Sequence, residues 1–197
     1  MLIQNKLLLK YGASIQKFSE SEIIFKEGDK AAYYYQIHEG IVKHNYVSRN
    51  NETILNILIA GENVCDFLAL TDEKFPVNAV AIIDTSIIRI SKKKLIELVR
   101  VNTHISDTIN NYLAERVYRN HMWMRKVSAR SAEERIFGLL KYFKEFYNSK
   151  QDFPYQIPFT RAQLASMTGL RVETVIKTIK KMEKMNTLQI KSGKIYL

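Results

Sequence analysis

The residue pattern changes near residue 92, and this change constrains the fold more than any other feature of the chain. From Glu22 to about Ser91, short runs rich in Ile, Val and Tyr alternate with turns that carry Gly, Asn or Asp. From Lys92 onward, apolar residues recur every three to four positions, which is the period of an α-helix. The sequence therefore predicts an α+β chain in which an antiparallel β-roll is followed by helices.

Six strands are expected in the first part of the chain. They are SEIIF, YYYQIH, IVKHNYV, TILNILI, VNAVAII and TSIIRIS. Gly28, Gly40 and Gly61 fall between these runs, where glycine adopts a positive φ angle most easily. Because short connections join consecutive strands, we expect the strands to pair in an antiparallel way.

The helical part begins with the short helix KKKLIELVRV and continues with a long helix from Asn102 to about Ser128. At about twenty-five residues this second helix is long for a globular protein. Its apolar stripe is wide enough to serve both its own domain and a partner. The stripe consists of Ile105, Ile109, Tyr112, Leu113, Val117, Met124 and Val127.

A further domain is expected from residue 131. Ser131 and Glu134 have the spacing of a capping box at the start of a helix. The break at 128–131 is the expected hinge, and QDFPYQIPF (151–159) is expected to be an extended link. The predicted divisions are a sensory β-roll at 1–101, a dimerisation helix and hinge at 102–130, and a winged helix–turn–helix domain at 131–197.

Two short helices are expected in TRAQLASMTGLRVETVIKTIKKMEK, residues 160–184. Thr160 and Gln163 form a capping box for the first helix, and Gly169 can take the left-handed conformation that ends it. The second helix buries Val175, Ile179 and Met182. The opposite face of this helix carries Arg171, Glu173, Thr174, Lys177, Lys180, Lys181 and Lys184. This spacing is typical of a helix–turn–helix with a basic recognition helix.

The chain is strongly basic, with a formal net charge of +10 and a pI near 9.6. Charge alone leaves open a nucleic acid, an acidic membrane surface, or no special partner. Residues 160–197 hold eight Lys or Arg and two Glu, and LQIKSGKIYL at their end fits a basic two-stranded wing. Charge, helix spacing and wing together predict that double-stranded DNA is the partner.

Other classes of site find little support in the sequence. Cys65 is the one cysteine, which excludes an internal disulfide and a cysteine-based zinc or iron–sulfur site. The four histidines lack metal-ligand spacing, so no metal is expected. We find no nucleophile–base pair, phosphate loop or paired carboxylates, and we expect no enzyme. No apolar run of 18 residues is present, and we expect a cytoplasmic protein without a membrane partner.

Two segments resemble one family. TRAQLASMTGLRVETVIKTIKKMEK is similar to the DNA-binding signature of Crp/Fnr-type bacterial transcription regulators. IIFKEGDKAAYYYQIHEGIVK resembles the first strands of their cyclic-nucleotide-binding-like roll. The resemblance covers nearly the whole chain and implies a homodimer on a pseudo-palindromic promoter site, with RNA polymerase as a further partner. The implied dimer interface is Ile105, Ile109, Tyr112, Leu113, Val117 and Met124.

The resemblance also assigns DNA-contacting positions. Where the family reads bases with an arginine, a glutamate and a later arginine, this chain has Val172, Glu173 and Lys177. Glu173 can accept a hydrogen bond from cytosine N4 and Lys177 can donate to guanine, whereas Val172 cannot donate. Fnr-like members also carry valine at this position. The expected phosphate contacts are Arg161, Arg171 and Thr174, with Lys180 and Lys181 completing the DNA-binding set.

The sensory domain departs from the family's nucleotide-binding loop. The family carries Gly-Glu and then Arg-Ser, and these positions here are Cys65-Asp66 and Phe75-Pro76. Nothing replaces the arginine that neutralises the cyclic phosphate, so we expect no cofactor and no cAMP binding. The effector is therefore unknown. The expected pocket residues are Asp66, Phe67, Phe75, Pro76, Asn120 and His121, and we favour a structural role for the last of these.

One further hypothesis remains open at this point. The chain could be a small-ligand-binding module whose C-terminal domain acts through protein contacts. Such a module would not need a cationic recognition helix. Binding to random duplex DNA that depends steeply on salt distinguishes a DNA-binding regulator from this module and from an enzyme.

Overall fold

The structure, a computed structural model, describes residues 2–49, 51–147 and 155–197. They form two compact units, residues 1–116 and residues 117–197. The helices are α1 (Asn5–Lys10), α2 (Lys92–Val101), α3 (His104–Val127), α4 (Ala132–Tyr147), α5 (Arg161–Thr168) and α6 (Val172–Lys184). The strands are β1 (Ser14–Phe18), β2 (Ile23–Phe25), β3 (Tyr33–Glu39), β4 (Ile41–Ser48), β5 (Asn51–Ile59), β6 (Asn78–Ala81), β7 (Thr85–Ser91), β8 (Gln189–Lys191) and β9 (Lys194–Tyr196).

The first unit is an antiparallel roll of two sheets. One sheet has the strand order β1-β7-β3 and the other has the order β2-β6-β4-β5. Each of the six strands expected from the sequence is present, and β1 was not expected. This strand has few buried positions, and Ile15 within it is 48% exposed. Because β1 lies at a sheet edge, its residues do not alternate clearly between apolar and polar.

Two hydrophobic clusters fill the roll. One contains Phe25, Tyr35 and Phe75, and the rings of Phe25 and Phe75 stack with centroids 3.8 Å apart. The other joins β7 and α2 through residues such as Ile90 and Leu98. The second cluster also takes in side chains from the first half of α3, so this half of the helix completes the core of the roll.

This packing changes the expected role of the long helix. Ile105, Ile109 and Tyr112 are 4%, 5% and 8% exposed, because they belong to the second cluster of the roll. Leu113 is half-buried against the same cluster. These side chains are covered within one chain. We therefore withdraw Ile105, Ile109 and Tyr112 from the expected dimer contact.

The exposed apolar surface of α3 lies further along the helix. Val117, Tyr118 and Met124 are 56%, 58% and 60% exposed. Val117 and Met124 were expected in the dimer interface, whereas Tyr118 was not. Seven residues separate Val117 from Met124, so they lie on the same side of the helix about two turns apart.

The second unit is built around aromatic side chains of α4. The Trp123 ring of α3 packs edge-on against Tyr142 and Phe143, with centroids 5.6 Å and 5.8 Å apart. The predicted capping box before α4 is present: Ser131 N donates to Glu134 Oε2, and Glu134 N donates to Ser131 Oγ, each at 3.1 Å. Trp123 is the one tryptophan of the chain, so its fluorescence reports on this unit.

The helix–turn–helix and the wing follow the predicted pattern. Thr160 and Gln163 form the capping box of α5, and Gly169 ends this helix with a φ of 65°. Strands β8 and β9 pair around Ser192 and Gly193, whose φ angles are both positive, as a tight two-residue hairpin requires. Part of the expected link, 151–154, lies outside the described residues.

Candidate nucleic-acid interface

The recognition helix α6 has one buried face and one exposed face. Val175, Ile179 and Met182 are fully buried and hold the helix against its unit. The exposed side carries Glu173, Lys177, Lys180 and Lys184. Since these residues recur at helical spacing opposite the buried positions, their side chains form a single outward surface, which we call the basic face.

The start of α6 carries further expected contacts. Arg171 is the N-cap residue and is exposed, and its side chain makes no capping hydrogen bond. Thr174 is half-buried one turn into the helix. The N-terminus of a helix attracts phosphate because its first N–H groups have no partner within the helix. This placement is compatible with the expected phosphate contacts of both residues.

Arg161 has a different environment from the one expected. Its Nη1 donates a hydrogen bond to the carbonyl of Gly193 in the turn between β8 and β9. Arg161 therefore ties the first residue of α5 to the tip of the wing. This contact gives Arg161 a structural role in holding the wing, in addition to the phosphate contact that was expected for it.

Lys181 also has a structural partner. Its Nζ lies 2.7 Å from Glu133 Oε2 at the start of α4. The two residues border a groove of about 610 Å³ whose other lysines are Lys177, Lys180 and Lys184. Because Glu133 offsets the charge of Lys181, the three remaining lysines dominate the positive charge of the groove.

One exposed residue of α6 was missed by reasoning from the sequence. Ile176 is 39% exposed, next to Lys177 and one turn beyond Val172, which is 37% exposed. The sequence pattern had assigned only polar and charged residues to the outer face of the helix. An isoleucine outside the buried spacing of Val175 and Ile179 was the signal that could have revealed this position.

In the roll, Asp66 forms a partly buried ion pair. Arg116 Nε of α3 donates to Asp66 Oδ1 at 2.8 Å. The arginine side chain is 2% exposed and the aspartate side chain is 37% exposed. Burial alone would lower the pKa of the Arg116 guanidinium, but the Asp66 carboxylate raises it above its usual value.

Arg116 is a second residue that the sequence did not reveal. Fifty positions separate it from Asp66, and it lies on a helix whose pattern pointed to apolar packing. The sequence predicted that no cation replaces the family's phosphate-binding arginine, and Arg116 is a buried cation beside Asp66 that this prediction did not include. The charges of Asp66 and Arg116 also act on His44. The pKa of His44 is lowered to about 4, mainly by burial, because imidazolium loses its hydration there.

The aromatic residues expected in the effector pocket are part of the core. Phe67 packs against Tyr34 and Tyr112 in one hydrophobic cluster, whereas Phe75 is in the other. Pro76 is exposed. Asp66 and Phe67 are sequence neighbours, as are Phe75 and Pro76, but Phe67 and Phe75 lie in different hydrophobic clusters.

The two expected pocket residues on α3 belong to the second unit. His121 is exposed, and its Nδ1 hydrogen bonds to the carbonyl of Val117 at 2.8 Å. Asn120 is half-buried and has a partner. The structural role favoured for His121 stays a prediction.

Within the part of the chain that the structure describes, no helix is long and apolar enough to span a bilayer. The described residues also contain no group of three or more His, Cys, Asp or Glu side chains that could hold a metal ion. The Cys65 thiol is buried, and burial raises its pKa to about 12.

A nucleotide-binding-type roll and a winged helix–turn–helix with an exposed basic face are the architecture of a DNA-binding transcription regulator. Two family descriptions match the chain: "Cyclic nucleotide-binding domain" over residues 15–102 and "Crp-like helix-turn-helix domain" over residues 134–197. The chain belongs to the Crp/Fnr family. Members of this family are transcription regulators and not enzymes, and this chain is a DNA-binding regulator.

Individual relatives agree with this assignment. The chain is 24% identical over 180 residues to the "Fumarate and nitrate reduction regulatory protein" of Vibrio cholerae, covering 90% of this chain and 70% of the relative. The solved structure of the c-di-GMP responsive regulator CLP of Xanthomonas campestris has a TM-score of 0.81 at 18% identity, covering 98% and 96% of the two chains. FixK2 from Bradyrhizobium japonicum has a TM-score of 0.79 at 20% identity, covering 94% and 92%. At these identities, the structural likeness shows the fold.

Proposed function

We propose that this regulator acts as a homodimer in the bacterial cytoplasm, binds a pseudo-palindromic promoter site, and does so without cAMP. The observation that carries the proposal is the basic face of α6. Its three lysines are exposed and make no ion pair among the described residues, in contrast to Lys181. Their charge is therefore available to DNA phosphates and to guanine acceptors in the major groove. RNA polymerase is the further partner that transcription regulation requires.

The assignment of base readers rests on position within the basic face. Glu173 and Lys177 lie one turn apart near the N-terminal end of α6, which is the end that contacts base edges in helix–turn–helix proteins. Lys180 and Lys184 lie further along the same side and are proposed to neutralise phosphates. Phosphate contacts fix the register of the helix, and base contacts supply the specificity.

The proposed dimer contact is the exposed apolar surface of α3. Val117, Tyr118 and Met124 are each more than half exposed on a single helix. Pairing two copies along this surface buries apolar area and joins two recognition helices. Once one helix is bound, binding of the second becomes intramolecular, which raises the overall affinity without a new DNA contact.

The proposed independence from cAMP rests on the interior of the roll. The one buried cation beside Asp66 is Arg116 among the described residues, and it is engaged with the Asp66 carboxylate. Its Nε donates to this carboxylate, whereas Nη1 and Nη2 have no hydrogen-bond partner among the described residues, so a cyclic phosphate would have to share the guanidinium with Asp66. Moreover, Phe75 occupies the core in the place where the family has its phosphate-binding arginine. Desolvating a phosphate without a free cation costs several kcal/mol.

The test is an unbiased selection of bound sequences from a random DNA library with the full-length protein and no added ligand. We expect an inverted repeat whose half-sites lie about 10 base pairs apart, centre to centre. The matched variant Val117→Asp, Met124→Asp should be monomeric by sedimentation and should fail to enrich the repeat. A monomeric wild-type protein, or enrichment of no motif, would contradict the proposal.

A further inference from the structure

The recognition helix carries an apolar strip beside its basic face. Val172 and Ile176 are 37% and 39% exposed and lie four residues apart, so they occupy the same edge of α6 on successive turns. Their sequence neighbours Glu173 and Lys177 have the same four-residue spacing. The exposed surface therefore consists of two parallel strips, one apolar and one charged.

The fold of the second unit leaves more than a third of each side chain in this strip uncovered. Val175, Ile179 and Met182 supply the apolar contacts that hold α6 in place and are at most 1% exposed. Valine and isoleucine also have lower helix propensity than the lysines around them. Two branched apolar side chains in contact with water on a strongly basic helix are therefore best explained by a ligand that covers them.

We propose that Val172 and Ile176 read thymine by contact with its C5 methyl group. The inference rests on the proposed function, because it requires α6 to lie in the major groove. Among the four bases of DNA, thymine alone presents a methyl group there, and apolar side chains recognise it by direct contact. Val172 cannot donate a hydrogen bond to a base, and contact with a thymine methyl group is the way in which it recognises one.

The geometry also sets the spacing of the bases that are read. Residues four apart on a helix are separated by about 6 Å along its axis. Base pairs are stacked about 3.4 Å apart. A helix lying along the groove therefore places the two side chains over base pairs about two steps apart. The expected half-site contains two thymines at this spacing, on the side of the groove that the apolar strip faces.

The experiment uses the full-length protein and the operator obtained by selection. Each thymine of a half-site is replaced in turn by deoxyuridine, which removes only the C5 methyl group. We expect about fourfold weaker binding at one or two positions, the factor that corresponds to losing one buried methyl group of ~0.8 kcal/mol. Thymines between the half-sites should show no effect.

Variants then assign each methyl contact to a residue. In the Ile176→Ala variant, deoxyuridine at one of the two thymines should no longer weaken binding. In the Val172→Ala variant, deoxyuridine at the other thymine should no longer weaken binding. Met185→Ala is the matched control, because Met185 is 58% exposed at the C-terminal end of α6 and should keep both penalties. Ile176→Gln removes the branched methyl groups and keeps a good helix former, so it provides a second variant in which the same penalty should disappear if the alanine protein folds poorly.

The outcomes separate this inference from the function on which it rests. Wild-type operator binding with no deoxyuridine penalty in either half-site overturns the thymine readout and leaves the regulator assignment intact. Penalties that persist unchanged in both alanine variants also overturn it. Failure of the wild-type protein to select any DNA sequence rejects the proposed function itself.

Discussion

The two compact units differ most in how they place charge. Residues 1–116 contain 14 Lys or Arg and 14 Asp or Glu, whereas residues 117–197 contain 16 and 6. The entire net charge of the chain therefore resides in the second unit. In the roll, Arg116 points inward to Asp66. On α6, Lys177, Lys180 and Lys184 point outward.

This difference shows which unit needs a charged partner. The charges of the roll balance one another, and its buried cation already has a carboxylate. The second unit has a strongly positive surface whose field attracts a polyanion over several ångströms. We infer that DNA binding belongs to the second unit, because the roll carries no net charge.

The largest expected effect comes from the ion pair in the roll. Asp66→Asn should destabilise the roll by about 3–5 kcal/mol, because it leaves a buried guanidinium without a counter-charge. Arg116→Met should cost only ~1–2 kcal/mol, because the Asp66 side chain is 37% exposed and water can solvate the remaining carboxylate. Urea unfolding followed by far-ultraviolet circular dichroism measures both values.

Trp123 fluorescence supplies the internal control for this asymmetry. Because Trp123 packs against Tyr142 and Phe143 in the second unit, its unfolding transition should stay in place in both variants. Equal destabilisation by the two substitutions would mean that Asp66 and Arg116 are desolvated alike. A shift of the tryptophan transition would mean that the units do not unfold independently.

The second expected effect is acid sensitivity that is confined to the roll. His44 has a pKa of about 4 in the native protein and about 6.5 when unfolded. Below pH 6.5 the unfolded state therefore binds a proton that the native state does not. The free energy of unfolding should fall by up to ~3 kcal/mol as the pH decreases from 6.5 to 4.

Replacing His44 and His121 separately tests this linkage. His44→Gln should flatten the decline in stability between pH 6.5 and 4, whereas His121→Gln should leave the decline unchanged, because His121 is exposed. Stabilities at each pH come from the same urea titrations. An unchanged decline in the His44 variant would show that another group is responsible.

The third prediction compares charge removal in the two units. The triple variant should reduce the slope of log Kd against log salt concentration by about 2–3 on random duplex DNA. It combines Lys177→Gln, Lys180→Gln and Lys184→Gln in one protein. The matched control is Lys93→Gln, Lys94→Gln, Arg100→Gln on α2, which removes three exposed charges from the roll. Equal reductions of the salt slope in the two variants would show that net charge, and not the basic face, drives binding.

The smallest expected effects concern base preference. Glu173→Ala and Lys177→Ala should each relax the preference at one or two positions of a half-site, by about 1–3 kcal/mol. Arg171→Ala should instead weaken all sequences alike. Repeating the sequence selection with each variant measures the change. An unaltered motif in both reader variants would remove Glu173 and Lys177 from the set of base readers.

The sequence predicted the local structure of both units better than their long-range contacts. Capping residues such as Thr160 and Ser131 act within a few positions, so their helices could be located from the sequence alone. The ion pair of Asp66 and Arg116 depends on where α3 packs against the roll. This packing cannot be predicted from a local sequence pattern. The helical period likewise did not reveal that Ile105 completes the core of the roll instead of facing a partner.

The exposed strip of α6 was missed for a related reason. A helical pattern identifies Val175 as buried, but it does not tell how much of Ile176 the neighbouring elements cover. Arg161 shows the same limit, because its hydrogen bond to Gly193 joins positions 32 residues apart. Side chains whose role depends on a distant partner require the structure.

The most direct test of the division between the two units is operator binding with and without cyclic nucleotide. The purified, ligand-free protein is titrated onto its selected operator, with no addition, with 1 mM cAMP, or with 1 mM cGMP (a concentration on the order of 1,000 times a micromolar Kd). We predict the same Kd in all three titrations, within about twofold. A tenfold or greater increase in affinity with either nucleotide would contradict the account, because it would show that the roll binds the ligand and controls the DNA-binding unit.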